Sequence, residues 1–246
     1  YLLLATLKGA VTAPVLVGLI AVAADVTILK RIDYDPERTI VATIGILYIL
    51  QQLTLMTYGP DARPVEPPFN TRLAIPWIER GAEGWQLYYP WGLSTTSYKL
   101  AVIGAAAGVL VAVWLLMARS RVGLLMRATQ LDSETALAFG IPVERVYAIV
   151  FGLGAGLAAL GAVLIVPIQQ AHYLMGGDPL LLSFIVVIIG GLGSLPGTVL
   201  AAVLIGLSDG IISVFFSPTL AKILATLLVA LVLVFRPQGL FGLRAR

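Results

Sequence analysis

The chain contains one histidine, His172, and no cysteine. A single imidazole with no thiolate cannot build a multi-His or Cys-based metal site, and it leaves neither disulfides nor a thiol nucleophile. His172 stands beside Tyr173 and near Asp178, which reads as an interface position. There is no G-x-x-x-x-G-K-[ST] run to cradle nucleotide phosphates, no nucleophile elbow and no H-E-x-x-H pair. What is left are polar groups inside apolar runs: Asp25, Gln51, Gln52, Thr54 and Asp209. A carboxylate at the centre of a bilayer costs about 2.5–3.5 kcal/mol on insertion scales, so it faces a cavity or a partner. Asp25, near the end of its run, can reach toward Lys30 or Arg31. Asp209, after Gly206 and Ser208, has no such neighbour.

The elements that must position these groups are membrane spans. Of 246 residues, 59% are apolar and only 12% charged, with a mean hydropathy of +0.96. Soluble domains carry about 25% charged residues, so a water-facing enzyme and a disordered chain are both excluded. A span needs about 20 mostly apolar residues. Val11–Leu29, Ile40–Tyr58, Leu100–Ala118, Tyr147–Pro167 and Leu220–Phe235 qualify. Residues 1–7 read as the tail of an apolar segment already under way, which predicts further chain before Tyr1. The runs lack the period-2 alternation of a transmembrane barrel. The expected fold is an all-α polytopic transmembrane helix bundle, one domain over residues 1–246, with a broken or re-entrant glycine-rich segment and a short cytoplasmic helix.

The net charge of +3 belongs to short loops and does not imply nucleic acid. Lys30–Arg38 holds three Lys/Arg, Arg119–Arg145 holds four, and the tail holds Arg236, Arg244 and Arg246. The positive-inside rule places all three in the cytoplasm. Gly59–Thr96, whose three arginines are offset by four acids, and Ile168–Leu180, which has none, go outside. The chain must then cross an even number of times between Leu180 and Leu220. Residues 172–216 are therefore either two spans with a tight cytoplasmic turn or a re-entrant hairpin broken at Gly190–Gly197. Irregular backbone at membrane depth is tolerated only where protein or a water-filled cavity surrounds it, and broken helices often mark transport paths. The exterior loop carries six prolines, which forbid a long helix. Its aromatics, Phe69 and Trp77 with Trp85–Trp91, suit an interfacial belt or a docking surface for an external partner.

Two further patterns concern packing and partners. Gly104-x-x-x-Gly108, the run Gly152, Gly154, Gly156, Gly161, and Gly206-x-x-x-Gly210 predict close helix packing, where only small residues let backbones approach. Between Arg119 and Arg145, Asp132 or Ser133 is a good N-cap and Gly140 a good stop before Pro142. A helix of about two turns fits between them, too short to be stable alone. Its apolar face, Ala136, Leu137 and Phe139, needs a cover. That cover is either a partner protein or the bilayer surface.

Several stretches resemble one family in order along the chain. They are Thr39–Gln52, Met126-Arg127-Ala128, Glu134-x-Ala136-x-x-x-Gly140-Ile141, the glycine-rich span after Phe151, Gly190-Gly-Leu-Gly193-Ser-Leu-Pro-Gly197, and Arg236-Pro237-Gln-Gly239-Leu240-Phe241-Gly242. Together they look like the permease subunit of the high-affinity branched-chain amino acid ABC importers, on the branch that includes urea and short-chain amide permeases. The resemblance implies a multi-pass protein of the bacterial inner membrane with no cofactor or metal of its own. Its implied partners are cytoplasmic ATP-binding subunits, a second permease subunit, a periplasmic solute-binding protein and membrane lipid, with no nucleic acid. It also implies that Arg127, Asp132, Glu134, Ala136, Phe139 and Gly140 couple the chain to the ATPase, although Thr135 stands where the family pattern has alanine. A translocation path is expected along Gln51, Gln52, Gly190, Gly191, Gly193, Ser194, Gly197 and Asp209. The competing expectation is an ion- or proton-coupled secondary transporter, for which Asp209 is the main titratable candidate.

Overall fold

The computed structural model describes residues 2–74, 77–81, 84–88, 94–191 and 193–215, with Leu220, Ile223, Leu224 and Leu227 beyond; within 73–94 it describes backbone only. The expected last span and the Arg236–Gly242 ending otherwise lie outside the described residues, as do the side chains of Trp77 and of Trp85–Trp91. Five helices among the described residues are long and apolar enough to cross a membrane. The chain divides into two compact units, residues 1–173 and 174–246.

In the first unit, α1 (Leu2–Thr27) runs unbroken through Pro14. The sequence reading began this span at Val11; the structure joins residues 2–10 to it. α1 packs along most of its length on α6 (Val143–Gln169), and glycine sets the separation. A Cβ on Gly152 would lie 2.5 Å from Val22 Cγ2, and one on Gly156 would lie 3.1 Å from the Pro14 carbonyl oxygen. The expected close packing through these two glycines is therefore present. Around Gly104, Gly108, Gly154, Gly161, Gly206 and Gly210 a Cβ would meet nothing within 4 Å.

A 3-10 turn, Leu29–Ile32, and two left-handed residues, Asp33 (φ +55°) and Tyr34 (φ +53°), reverse the chain into α2 (Pro36–Tyr58). Asp35 caps α2 by accepting from the amides of Glu37 and Arg38 at 3.0 and 3.2 Å, and Pro36 opens the first turn. Both choices suit a helix start, since Asp satisfies orphan amides and Pro has none to satisfy. α2 buries none of its residues in this chain.

The proline-rich segment forms short antiparallel pairs in place of a helix. β1 (Arg72–Ala74) pairs with β4 (Ser94–Thr96), Arg72 opposite Thr96. β2 (Trp77–Gly81) pairs with β3 (Gly84–Tyr88), Trp77 opposite Tyr88. These strands were not anticipated. Arg63 and Ala171 exchange backbone hydrogen bonds of 2.8 and 2.9 Å, which ties the segment to the end of α6. α3 (Ser97–Arg119) follows, with Tyr98 buried and its hydroxyl donating to the Leu164 carbonyl at 2.9 Å.

α4 (Arg121–Leu131) and α5 (Ser133–Ala138) link α3 to α6. In the second unit, α7 (Gly177–Gly190) turns sharply into α8 (Leu195–Phe215). Its core is Ile189, Ala201 and Ile205, with Leu182, Ile185 and Val186 packed against them.

Candidate functional site

The corner between α3 and α6 is built from caps. Ser120 Oγ accepts from the Gly123 amide at 2.9 Å and donates to the Leu116 carbonyl at 2.6 Å. The chain turns so tightly that a Cβ on Gly123 would sit 2.4 Å from the Met117 carbonyl oxygen. Gly123 was not singled out from the sequence; only its place in a short gap between helices hinted at it. Asp132 then caps α5, accepting from the amides of Glu134 and Thr135 at 3.0 and 3.2 Å and from the Thr135 hydroxyl. The Thr135 hydroxyl and backbone amides hold the Asp132 carboxyl below its usual titration range. Thr135, the departure from the family pattern, is thus part of the cap.

α5 ends as the sequence predicts. Gly140 adopts φ +80°. The Ile141 amide donates to Ala136 O at 3.0 Å and the Gly140 amide to Leu137 O at 2.9 Å, the paired bonds of a Schellman stop. Six residues with both ends fixed make a rigid projection, since neither terminus is free to fray. Leu137 is 61% exposed and Phe139 83%, with Glu134 exposed beside them. Ala136 corrects the expected face: it is buried, turned toward α4 and α6, the helices that α5 touches. Arg127 also folds back, donating from Nε to the Gly123 carbonyl at 3.3 Å along its own helix. Beside α5 opens a cleft of about 720 Å³ whose lining includes Thr129, Gln130, Ser133, Glu134 and Tyr147.

The expected path residues fall on separate elements. Gln51 is half-buried and Gln52 exposed on α2. In the second unit the break is sharp. Gly191 (φ +94°) and Gly193 (φ +85°) are left-handed, and Ser194 Oγ accepts from the Gly197 amide at 3.2 Å to start α8. Gly190 and Gly197 are buried, and a Cβ on Gly190 would lie 2.5 Å from Thr198 Cα. Asp209 is half-buried, about 18 Å along α8 from Gly197 at 1.5 Å per residue, so the structure separates it from the break. His172 is exposed.

Asp25 is placed differently from the expectation. It is 1% exposed and accepts a hydrogen bond from the Tyr34 hydroxyl at 3.2 Å, while Lys30 pairs with Glu144 at 2.6 Å. The left-handed turn brings Tyr34 over Asp25, so the phenol takes the place expected for the ammonium.

Among the described residues, five helices of spanning length and a glycine-broken helix pair make this a multi-pass membrane protein of the all-α class. The family described as branched-chain amino acid transport system / permease component matches residues 2–234. The chain belongs to that family. The high-affinity branched-chain amino acid transport system permease protein LivH of Salmonella typhimurium is 25% identical over 221 residues, 87% of this chain and 68% of the relative. The corresponding permease protein BraD of Pseudomonas aeruginosa is 26% identical over 223 residues, 87% and 69% of the two chains. A probable branched-chain amino acid transport permease protein LivH of Methanocaldococcus jannaschii is 25% identical over 142 residues, 54% and 45% of the two chains. No solved structure matches the chain significantly.

Proposed function

We propose that this chain is the membrane-spanning subunit of an ATP-driven importer that carries branched-chain amino acids or a related small polar solute. A periplasmic binding protein delivers the solute, a second permease subunit completes the pathway, and ATP is bound and hydrolysed in separate cytoplasmic subunits. Family membership supports the permease role. The observation that carries the coupling role is α5, capped at Asp132 and stopped at Gly140, with Leu137 and Phe139 exposed at the corner between α3 and α6. An apolar projection held this rigidly suits a groove in a partner, and Glu134 in its first turn suits a polar contact that sets its angle.

The path reading rests on α7 and α8. Fourteen residues of α7 span about 21 Å, against a hydrocarbon core of about 30 Å. No charged side chain occurs from Pro179 to Ser208, where a turn at the cytoplasmic surface would usually carry Lys or Arg. Both facts favour a break at membrane depth, with Gly190, Gly191, Gly193, Ser194 and Gly197 beside the moving solute.

The test is to purify the complex with its ATP-binding subunits and binding protein and to measure solute-stimulated ATP hydrolysis. Glu134→Ala and Gly140→Val should leave solute capture by the binding protein intact and lower the stimulation. Full stimulation in both variants would remove α5 from the coupling role.

A further inference from the structure

The buried carboxylate Asp25 belongs neither to the proposed path nor to the α5 projection, yet it has an elaborate setting. It sits in the last turns of α1, 1% exposed, and the Tyr34 hydroxyl reaches it from across the reversing turn. That reach depends on two consecutive non-glycine residues, Asp33 and Tyr34, in the left-handed region, which residues with a Cβ seldom adopt. Surrounding contacts must outweigh that strain for it to persist. Burial and the nearby Asp25 carboxylate push the Tyr34 hydroxyl up to about 12, so it donates throughout the neutral range.

The Tyr34 ring packs on Tyr147 of α6, with centroids 4.7 Å apart and planes tilted by 57°. The Lys30–Glu144 pair links the same two segments one turn away along α6. Tyr147 faces two clefts, one shared with Asp25 and Tyr34, the other with Thr129, Ser133 and Glu134 beside α5. α5 passes into α6 through only Phe139–Pro142. A displacement of α5 therefore reaches the first turns of α6, and Tyr147 hands it to the turn that holds α1.

We infer that Asp25, Tyr34 and Tyr147 form a latch that makes α1 move with the α5–α6 corner. These are positioning residues: they carry the stroke from the ATPase-facing helix into the first span. The inference rests on the coupling role proposed for α5.

The test uses the complete transporter in proteoliposomes with leucine as the probe solute. The reading is solute moved per ATP hydrolysed. Tyr34→Phe keeps the ring on Tyr147 and removes only the donor; Asp25→Asn keeps an acceptor for that donor. Tyr34→Phe should lower the ratio about fivefold, the effect of one hydrogen bond of ordinary strength, with basal ATP hydrolysis unchanged. Asp25→Asn should retain the ratio, because its amide oxygen still accepts from the Tyr34 hydroxyl, and Asp25→Leu should lower it as Tyr34→Phe does; a bulk packing role for the Tyr34 ring would instead leave Tyr34→Phe at the parent ratio. If Tyr34→Phe does not assemble, Tyr147→Leu carries the same expectation. An unchanged ratio in a coupled transporter overturns the latch alone. Leucine uptake by the parent protein without ATP overturns the importer reading, and the latch falls with it.

Discussion

At the residue scale, the informative positions are those where backbone geometry or a cap leaves no alternative. Gly140 has open space around it, so Gly140→Val harms through φ +80° and not through a clash. The left-handed conformation costs an L-residue about 1–2 kcal/mol. Limited proteolysis of the α5–α6 corner should show faster cleavage in Gly140→Val. Gly123→Ala is the opposite case, a clash with the Met117 carbonyl at an ordinary backbone conformation. Overpacking of this kind costs about 1–3 kcal/mol, and the melting temperature in detergent should drop accordingly. Asp132 gives a pH prediction. Its folded carboxyl titrates below its unfolded value, so its contribution is complete above the usual carboxylate range and is lost as pH falls through the lowered value. Asp132→Asn should flatten that acid limb in a stability-versus-pH series, and an identical limb would show that ionisation of Asp132 contributes nothing to stability. Asp132 and Gly140 were legible because caps and stops are local in sequence. Asp25, Tyr34 and Tyr147 were not, since nothing in the sequence links three residues separated by up to 122 positions and a left-handed turn of non-glycine residues.

At the element scale, apolar length located α1, α2, α3 and α6 but missed their boundaries, while the expected span Leu220–Phe235 lies largely outside the described residues. The charge of Lys8 interrupts the apolar run before Val11 and so separated residues 2–10 from α1, whereas packing on α6 holds the helix together through Pro14 despite the missing amide. The exterior strands were invisible because prolines and scattered aromatics break any period, while the pairing register is a long-range property. The glycine patterns looked alike in sequence and are unlike in structure. Gly190 meets the backbone of Thr198, whereas Gly104 and Gly161 meet nothing. Gly190→Ala should therefore abolish uptake or assembly, because a backbone neighbour cannot move aside. Gly161→Ala should be neutral or stabilising by about 0.5–1 kcal/mol, the usual gain for alanine within a helix. Equal tolerance of the two substitutions, judged by detergent-solubilised yield and uptake, would contradict the close approach of α7 and α8.

At the scale of the whole molecule, orientation and coupling have to agree. The absence of cysteine gives a clean background for single-cysteine labelling. Cysteines at Ser97 and Gly177 should react with an impermeant thiol reagent added outside, and one at Ser133 should not, as the Lys/Arg distribution requires. External labelling at Ser133 would put α5 on the side that has no ATPase. Composition and ordered motifs made the membrane class and family legible over most of the chain. They left the solute open, because the residues along the expected path are few and half of them are glycines without side chains to read a solute. The most direct measurement is leucine uptake into proteoliposomes holding this subunit with its permease partner, ATP-binding subunits and binding protein. Uptake should require both ATP at the cytoplasmic face and binding protein at the other, and should vanish when ATP is replaced by a non-hydrolysable analogue. Uptake at the full rate without ATP, driven by an ion or proton gradient, would contradict the account.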